Sequence, residues 1–371
     1  MATGYVYHEV FGWHDTSSYA GVFPSNPAAG LQPFIHLENA ETKRRFHELV
    51  VVSGLIDHLV RLAPRPASDE EILRVHTAEY LARIESESRQ PKGGDAGDGI
   101  SPFGQGGAAI ARLAAGAVIE CVDAVLDGRV DNAYALVRPP GHHAVASSGM
   151  GFCVFGNVAI AAAHARSVRG VERIAVVDWD VHHGNGTQAA FYDESDVLTI
   201  SVHQDNVFPP NSGRLDELGE GAGMGYALNV PLPPGTGDGG YLHVMDEVVV
   251  PAVRAFGPDL VLVACGFDAG VLDPLARQMV TSAGFRAMAE RVLAVAGECC
   301  AGRVVMSHEG GYSPVYVPFC GLAVLEAMSG VRVLDDPFLP IVAGFAGHEL
   351  KPAEADVISA ATAQIPAAEG S

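Results

Sequence analysis

The sequence predicts an α/β protein with a central, mostly parallel sheet flanked by helices. Five short apolar runs rich in β-branched residues are typical of strands that are buried on both faces of such a sheet. Segments with apolar residues at helical spacing lie between them. Although 371 residues would suffice for two domains, single α/β domains also reach this length, and we expect one domain over residues 1–371.

The predicted strands are the runs with the strongest β-propensity. In open parallel sheets, ligands bind outside the carboxyl ends of the strands, and each of these runs is followed by polar residues. We therefore expect five distant segments to meet at one site at the C-terminal strand ends. The runs cover residues 134–137, 174–177, 197–202, 260–264 and 303–306.

Three helices have sequence signals of their own. Residues 108–126 carry apolar residues at helical spacing. Ser68 and Glu71 have capping-box spacing ahead of an apolar stretch, which predicts a helix start. Residues 240–256 form a third candidate, in which we expect Pro251 to introduce a kink because proline cannot donate a helical hydrogen bond.

Two segments lack a strong pattern. Residues 90–107 are rich in Gly, Asp, Ser and Pro and predict a long surface loop, a feature that is often functional in compact domains. Residues 349–371 are rich in Ala and Glu and predict a C-terminal tail that is helical at most.

The composition argues against several classes of protein. With 23 Lys and Arg against 44 Asp and Glu, the net charge of −21 repels phosphate backbones and disfavours a nucleic-acid partner. Apolar runs are all shorter than the ~18 residues of a membrane span. Residues 1–20 lack a secretory signal, and the 6 cysteines include no CxxC pair. We expect a protein of the reducing cytoplasm.

The segment after the second predicted strand carries the strongest chemical signal. Residues two apart in an extended chain point to the same side, so Asp178, Asp180 and His182 are expected to share a face. These groups are costly to bury together unless a cation offsets the charge. Nitrogen and oxygen ligands favour zinc, with iron and cobalt as alternatives. Asp268, after the fourth strand, adds a ligand, and three protein ligands leave a position open, as in catalytic sites.

A histidine pair follows the first predicted strand. His142 and His143 come directly after a Pro-Pro-Gly turn. Neighbouring neutral imidazoles near a metal can act as general base and general acid, although such pairs also bind metals or lie on the surface. If the pair acts in acid/base catalysis, Asp178 would orient one imidazole instead of binding the metal, and Asn185 would contact the other imidazole.

Tyr312 follows two glycines after the fifth predicted strand. Such a tyrosine can turn its hydroxyl into a pocket and donate a hydrogen bond to a developing oxyanion. The alternative is that Tyr312 is a packed core residue. This is the better interpretation when the tyrosine is considered without the other motifs.

Taken in order, these motifs resemble those of the zinc-dependent deacetylases of the histone deacetylase family, in the arginase/deacetylase superfamily. The likeness is greatest to the class II branch and to bacterial histone deacetylase-like amidohydrolases. The resemblance implies the arginase/deacetylase fold, one Zn²⁺ per chain and structural K⁺. It covers nearly the whole chain and is carried by residues 43–46, 138–143, 178–188, 266–268 and 309–312.

The resemblance also implies a role for each matching residue. His142 and His143 would be the acid/base pair, Tyr312 the transition-state donor, and Asp178 and Asn185 the partners of the two imidazoles. The implied zinc ligands are Asp180, His182 and Asp268.

Two further groups of residues are implied by the same motifs. Phe152 and Phe208 would line a narrow apolar tunnel for an acyl-lysine stem, and the full set of implied substrate-binding residues is Gly151, Phe152, Phe208, Leu275, Gly310 and Asp98. For Asp98, a plain loop aspartate is the simpler alternative. The implied potassium ligands are Asp178, Asp180, His182, Ser201 and Val202 beside the zinc, and Phe191, Glu194, Val197 and Tyr226 at a second site.

The substrate is the least constrained part of this interpretation. Acyl-lysine side chains or comparable small acyl amides fit the implied tunnel best. Polyamine-selective relatives place an acidic gate in the Asp-Pro-x segment, and Leu275 stands there in this chain, so acetylpolyamines come second. An arginase-type hydrolase and a non-catalytic acyl-lysine binding module remain as alternatives. Similar bacterial proteins form homo-oligomers, including tetramers, and we expect neither a nucleic-acid nor a membrane partner.

Overall fold

An eight-stranded sheet, parallel throughout, forms the centre of the computed structural model. The structure describes residues 2–365, so Met1 and residues 366–371, the end of the predicted tail, lie outside it. The strands in chain order are β1 (Thr3–Val6), β2 (Ser18–Ala20), β3 (Phe23–Pro24), β4 (Phe34–Ile35), β5 (Leu59–Arg61), β6 (Gly94–Asp95), β7 (Pro102–Phe103), β8 (Asn132–Ala135), β9 (Ile174–Asp178), β10 (Val197–Gln204), β11 (Ala227–Leu232), β12 (Leu260–Cys265) and β13 (Val304–His308).

Helices cover both faces of this sheet. Short 3₁₀ turns lie at Glu9–Trp13, Pro27–Ala29, Leu55–His58 and Gly221–Gly223. The α-helices are α1 (Glu41–Val52), α2 (Asp69–Ile72), α3 (Ala78–Ser88), α4 (Gly107–Leu126), α5 (Asn157–Arg169), α6 (Asn185–Ala190), α7 (Asp238–Val244), α8 (Val250–Phe256), α9 (Ser282–Cys300), α10 (Val317–Ser329), α11 (Leu339–Val342) and α12 (Pro352–Thr362).

Two apolar cores lie on the two faces of the sheet. Successive strand residues alternate between them: Val176 packs with helices α4 and α5, whereas Val177 packs with helices α1, α9 and α10. Strands that are buried on both faces need apolar residues at every position, which explains the continuous apolar runs in the sequence. The predicted α/β class with a parallel sheet is therefore confirmed.

The strand order β11-β10-β9-β12-β13-β8-β1-β5 fixes where a site can form. The chain runs outward from β9 to β10 and β11, and then returns to place β12 on the other side of β9. Open sheets have a crevice at such a reversal, beyond the carboxyl ends of the two strands. Asp178 at the end of β9 lies opposite both Ala264 of β12 and Ser201 of β10, so these ends are level.

The five predicted strands are present as β8, β9, β10, β12 and β13, with ends that differ from the prediction by one or two residues. Three strands of the sheet were missed. Strands β1 and β5 are too short for a periodicity, and β11 contains Pro231, which a strand tolerates at a sheet edge.

Two predicted helices have the expected form. Helix α4 closely matches the predicted range. Ser68 and Glu71 make the reciprocal bonds of a capping box, although the helix they begin has only 4 residues. The third candidate is also helical: α7 continues into a π-helical turn, Met245–Val249, and then into α8, which contains Pro251. The π-helical turn interrupts the regular helix directly before Pro251, which has no N–H to donate, and the expected kink stays a prediction.

The prediction of a surface loop over residues 90–107 is wrong in part. Strands β6 and β7 form a hairpin within it, and Ala96, Ser101 and Phe103 are buried. Its polar residues fold inward because they bond to neighbouring backbone, as described below. The predicted tail contains α12 within its described part.

Two global properties bear on the sequence expectations. Among the helices of residues 2–365, none combines the length and the apolar character that crossing a bilayer requires. All six cysteines are free thiols, and five of them are buried.

A buried ion cluster anchors the segment that leads from β8 to the histidine pair. The Arg138 guanidinium donates to both carboxylate oxygens of Glu38 at 2.9 Å, and Lys43 Nζ lies 3.1 Å from Glu38 Oε1. Arg138 also donates to the carbonyl oxygen of Phe11 at 3.2 Å. Burial alone would raise the pKa of Glu38, but Arg138 and Lys43 outweigh it and hold that pKa at about 2.

We expect Glu38→Gln to lower the free energy of unfolding by about 3–5 kcal/mol at neutral pH, because Arg138 and Lys43 lose the buried charge that balances them. Since folding depresses the pKa of Glu38, its contribution is complete above pH ~4.5 and is lost as the pH falls toward 2. Denaturant unfolding at pH 7 measures the difference between the two proteins, and a series from pH 5 down to pH 2 measures its loss. Asp216→Asn, which breaks an exposed pair with Arg214, is the control and should barely change stability. Equal losses for the two variants would contradict the assignment.

Candidate functional site

Three side chains meet in the crevice between β9 and β12. The ligand atoms of Asp180, His182 and Asp268 all lie within 4.8 Å of one another, and both carboxylates are fully buried. His182 Nδ1 is 3.0 Å from Asp180 Oδ1 and 3.1 Å from Asp268 Oδ2. Ligand atoms of a tetrahedral zinc site, about 2.0–2.1 Å from the ion, are about 3.3 Å apart, so this spacing fits a zinc-sized cation.

The chain reaches this arrangement by bending directly after β9. Asp178 still belongs to the strand, and its Oδ1 accepts the N–H of Asp180 at 3.0 Å. Trp179 turns into the apolar core and is fully buried. The expectation that Asp178 shares a ligand face with Asp180 and His182 is therefore wrong, because Asp268 fills that place and the other oxygen of Asp178 bonds to His142.

Glycines allow the backbone to pass close to both carboxylates. A Cβ atom on Gly266 would lie 2.2 Å from Asp180 Oδ2, and one on Gly310 would lie 2.1 Å from Asp268 Oδ2. The Gly310 N–H donates to Asp180 Oδ2 at 2.7 Å, and the Val181 N–H donates to Asp268 Oδ1 at 2.8 Å. Backbone donors thus hold the outer oxygens and leave the inner ones facing His182.

The electrostatics of this cluster call for a positive charge. Burial opposes a charged imidazole, but hydrogen bonds to Asp180 and Asp268 outweigh it and raise the pKa of His182 to about 10. A proton on His182 thus takes the place of a cation between two carboxylates. Asp268 Oδ2 lies 3.1 Å from His182 Nδ1 but accepts no hydrogen bond of regular geometry among the residues that the structure describes. The residues present fit a divalent metal.

A second group with ligand-like spacing consists of His142, Cys153 and Glu309. It fits a metal less well. Burial raises the pKa of the Cys153 thiol well above its ordinary value, so the thiolate that a metal needs is disfavoured. Glu309 Oε2 already accepts the N–H groups of Gly141 at 2.6 Å and His142 at 3.1 Å.

The two histidines after β8 have rings that are tilted by 40° with centroids 3.9 Å apart, and they have different partners. His142 Nδ1 lies 2.9 Å from Asp178 Oδ2, and His143 Nδ1 lies 2.7 Å from Asn185 Oδ1. Both oxygens can only accept, so both Nδ1 atoms carry the proton. The Nε2 atoms are left to face the site.

Their surroundings give the two imidazoles opposite protonation preferences. Burial works against charge on His142, but the carboxylates of Asp180 and Asp178 overcome it and raise its pKa to about 10. Burial lowers the pKa of His143 well below its ordinary value, and the neighbouring His142 and His182 lower it further. The arrangement therefore favours a charged His142 and a neutral His143, which suits an acid and a base.

A cavity of about 310 Å³ opens above these groups. Its deepest lining residues, by burial, are His143, His182, Phe152 and Tyr312. The Phe152 ring meets the Tyr312 ring edge-on at 5.7 Å, and the Phe208 ring meets the His143 ring at 4.9 Å. The mouth is apolar and is formed by Val22, Phe23, Ile100, Val207 and Leu275.

The wall that carries Phe152 is held in a strained backbone conformation. Phe152 has φ +71°, which is rare for a residue with a side chain. Its N–H donates to Ser101 Oγ at 2.7 Å, and the Gly151 N–H donates to Asp98 Oδ2 at 2.7 Å. A Cβ on Gly151 would lie 2.2 Å from the His143 ring. The hairpin of residues 94–103 thus supports the tunnel wall.

Of the predicted potassium ligands, His182 lines the tunnel, and the others are not among its lining residues. Asp178 and Ser201 line a separate cavity of about 10 Å³ together with Gly184 and Thr187. Val202 is buried in β10. The four residues of the predicted second site are spread over different elements: Phe191 ends α6, Glu194 pairs with Arg166, Val197 begins β10 and Tyr226 precedes β11. The potassium assignments stay predictions.

Comparison with known proteins assigns the chain to a family. The model of the histone deacetylase domain matches residues 36–328. The chain belongs to the histone deacetylase family. A histone deacetylase-like amidohydrolase of Pseudomonas aeruginosa is 49% identical over 339 residues, covering 89% of this chain and 87% of that one. A probable deacetylase of Archaeoglobus fulgidus is 39% identical over 335 residues, covering 89% and 87%.

A solved structure agrees with this assignment. The HD domain of HDA15 superposes with a TM-score of 0.80 at 31% identity and covers 98% of this chain and 95% of that one. The expected family and fold are confirmed, and the chain is a hydrolytic deacetylase of the amidohydrolase type.

Several residues of this deacetylase site were not predicted. Glu309 and Asp273 were seen only as parts of motifs, yet each holds backbone amides of the site. Ser101 was hidden in the supposed surface loop. A side chain that bonds to the backbone of a distant segment leaves no pattern in a single sequence. Gly310 lies behind the ligand carboxylates and Asp98 behind Gly151, and their contacts with substrate stay predictions.

We expect Gly310→Ala to weaken zinc binding by about 10- to 100-fold, because its Cβ would displace Asp268 Oδ2 and Asp180 Oδ2. Competition titration with a chromophoric chelator measures the affinity. Gly297→Ala, on helix α9 with open space around the new methyl, is the matched control and should bind zinc like the wild type. Unchanged affinity in Gly310→Ala would show that these carboxylates do not hold the metal.

Proposed function

We propose that the protein is a zinc-dependent deacetylase that hydrolyses the acyl amide of acyl-lysine side chains or comparable small amides. The observation that carries this proposal is the convergence of three chemistries on the floor of one apolar cavity. His182 of the ligand group, the neutral His143 and the Tyr312 side chain all line it. An alkyl stem with a neutral amide at its tip would bring the amide to these groups.

Asp180, His182 and Asp268 would hold the zinc ion. When bound there, zinc would polarise the amide carbonyl and lower the pKa of the nucleophilic water. The burial of the two carboxylates and the convergence of one oxygen of each on the His182 ring support this assignment.

The histidine pair would move the protons. His143 Nε2 is unprotonated and faces the cavity, so it would take a proton from the attacking water. Asn185 Oδ1 holds its Nδ1–H and thereby fixes the tautomer. His142, which Asp178 holds in the protonated form, would place a positive charge near the developing anion. One protonated histidine would then deliver a proton to the leaving amine.

Tyr312 would donate a hydrogen bond from its hydroxyl to the oxyanion. Burial raises its pKa well above the ordinary value, so the phenol keeps its proton at neutral pH. A hydrogen bond aimed at charge that appears only in the transition state stabilises that state selectively.

The apolar mouth supports an uncharged substrate. Each of its five residues, Val22, Phe23, Ile100, Val207 and Leu275, is aliphatic or aromatic. A cationic polyamine tail would lose hydration there, and none of these five side chains could replace it with a charged partner. Acetylpolyamines therefore remain the second candidate.

Three further assignments belong to this proposal. A potassium ion beside Asp178 and Ser201 is supported by a cavity with about the room of one ion. Assembly into a homo-oligomer is supported by the exposed Phe23, Phe34 and Ile35 on the β3-β2-β4 sheet. A cytoplasmic location is supported by six free thiols.

We expect Tyr312→Phe to lower kcat on an acetyl-lysine peptide by about 10²–10³ while zinc content is unchanged, because the variant lacks only the oxyanion donor. Steady-state kinetics on zinc-loaded protein measures this. Tyr192→Phe, a change outside the cavity lining, is the control. Wild-type kcat in Tyr312→Phe would remove the tyrosine from the mechanism.

We expect kcat/KM to be higher for an acetyl-lysine peptide than for acetylputrescine. Leu275→Glu should shift the ratio toward acetylputrescine by about 3-fold, because a carboxylate at the mouth attracts the ammonium. Leu272→Glu, in the adjacent exposed turn, is the matched control and should leave the ratio unchanged. A strong wild-type preference for acetylputrescine would favour the polyamine candidate.

A further inference from the structure

The Asp273 carboxylate joins two parts of the tunnel that are far apart in sequence. Its Oδ2 accepts the backbone N–H of Tyr312 at 2.7 Å, and its Oδ1 accepts the backbone N–H of Leu275 at 2.9 Å. Tyr312 lies on the cavity floor and Leu275 at its mouth. One side chain therefore contacts the segments that carry the oxyanion donor and the rim.

The position of Asp273 is itself fixed relative to the ligand group. The turn that begins at Phe267 bonds Gly270 N–H to the Phe267 carbonyl at 3.1 Å and Asp273 N–H to the Gly270 carbonyl at 2.9 Å. Val271 N–H bonds to the Val280 carbonyl at 3.0 Å. Because Asp268 lies within this turn, the carboxylates of Asp268 and Asp273 belong to one rigid segment.

Tyr312 needs such an anchor because the residues before it do not fix it. Gly310 is held by its N–H bond to Asp180, but Gly311 follows with φ +125°, a conformation that only glycine adopts readily. Among residues 2–365, the Tyr312 N–H has Asp273 as its one hydrogen-bond acceptor. The remaining contacts of the ring, with Phe152 at 5.7 Å and Lys43 Nζ at 5.8 Å, are weakly directional.

Leu275 depends on the same carboxylate. It follows the exposed Pro274 and is half-buried at the tunnel mouth. The next anchor along the chain is Arg277, whose N–H donates to Gln204 Oε1 at 2.8 Å. The Asp273 bond therefore decides how far Leu275 extends over the opening.

We propose that Asp273 is a positioning residue that sets Tyr312 against the reacting amide and Leu275 over the tunnel mouth, so that turnover and selection at the mouth depend on one carboxylate. The inference rests on the proposed deacetylase function. It makes Asp273 act through two neighbours without touching the substrate.

The test is Asp273→Asn, combined with Tyr312→Phe and with Leu275→Ala in two double-mutant cycles. An asparagine has one acceptor oxygen, so one of the two N–H groups meets an NH₂ donor and loses its bond. The substrates are acetyl-lysine methylamide, without and with a leucine on its N-terminal side. The leucine gives the mouth an apolar group to contact.

We expect Asp273→Asn to lower kcat by about 10- to 100-fold in the wild-type background, because a displacement of ~1 Å at the donor has effects of that size. In the Tyr312→Phe background, Asp273→Asn should lower kcat by less than about 3-fold, since the tyrosine hydroxyl that Asp273 positions is already absent. The kcat/KM preference for the leucine-bearing substrate should fall toward one, and in the Leu275→Ala background Asp273→Asn should not change it further.

The control is Glu326→Gln. Glu326 is a buried carboxylate that, like Asp273, accepts two backbone N–H groups, from Val333 at 2.7 Å and Leu334 at 3.1 Å, and it lies on α10 outside the tunnel. It should lose stability without losing kcat. The proposal would be overturned if Asp273→Asn lowered kcat by the same factor in the Tyr312→Phe background as in the wild type. It would also be overturned if Asp273→Asn left the kcat/KM preference for the leucine-bearing substrate unchanged.

Two measurements keep the test independent of variant folding and of the proposed function. In the wild-type protein, the amide protons of Tyr312 and Leu275 should exchange with solvent more slowly than the exposed amide of Leu272, and rapid exchange would contradict the bonds. A wild-type enzyme inactive on both substrates would instead reject the deacetylase proposal, while slow exchange at both amides would still support the anchor.

Discussion

The burial of Asp180 and Asp268 side by side is the constraint on which the rest of the site depends. Neither carboxylate has contact with solvent, and a buried unpaired charge costs far more than most single interactions return. Backbone N–H groups from Val181 and Gly310 bind one oxygen of each. The remaining oxygens converge on His182, and only a cation or a proton can offset their charge. A parallel sheet meets this demand because the ends of β9 and β12 lie level at the point where the strand order reverses.

Two further carboxylates of the site, the buried Glu309 and the half-buried Asp273, accept backbone N–H groups. Glu309 holds the amides of Gly141 and His142, and Asp273 holds those of Tyr312 and Leu275. Backbone N–H groups stabilise a buried carboxylate without adding a flexible partner, so each such contact fixes the course of a loop. The segments that follow β8, β12 and β13 contain glycines such as Gly141, Gly270 and Gly311, and these carboxylates supply the rigidity that the glycines lack.

The sequence predicted the parts of the fold that repeat a local pattern and the parts of the site that carry unusual residue types. Strands β8, β9, β10, β12 and β13 are buried throughout and each contains a largely apolar run, and that pattern is visible without coordinates. Asp180, His182 and Asp268 follow such strands and are conspicuous because charged groups rarely end there. Strands β1 and β5 have 4 and 3 residues, too few for a period to appear. The inward fold of residues 90–107 depends on Ser101 and Asp98 meeting the amides of Phe152 and Gly151, a tertiary contact between polar residues that look like any loop.

The charge of the whole protein and the chemistry of its tunnel act over different distances. A net charge of −21 attracts cations toward the surface, but screening limits that attraction to about 8–10 Å at physiological ionic strength. At the mouth, a ligand leaves water and meets Val22, Phe23, Ile100, Val207 and Leu275, none of which can replace the hydration of an ammonium group. Long-range attraction raises the rate of encounter, whereas selection depends on the free energy of contact. The two effects therefore act on different parts of one substrate. The tunnel favours an apolar stem with a neutral amide, whereas the acidic surface attracts any positive charge that stays outside the tunnel, where solvent still surrounds the charged group and the protein.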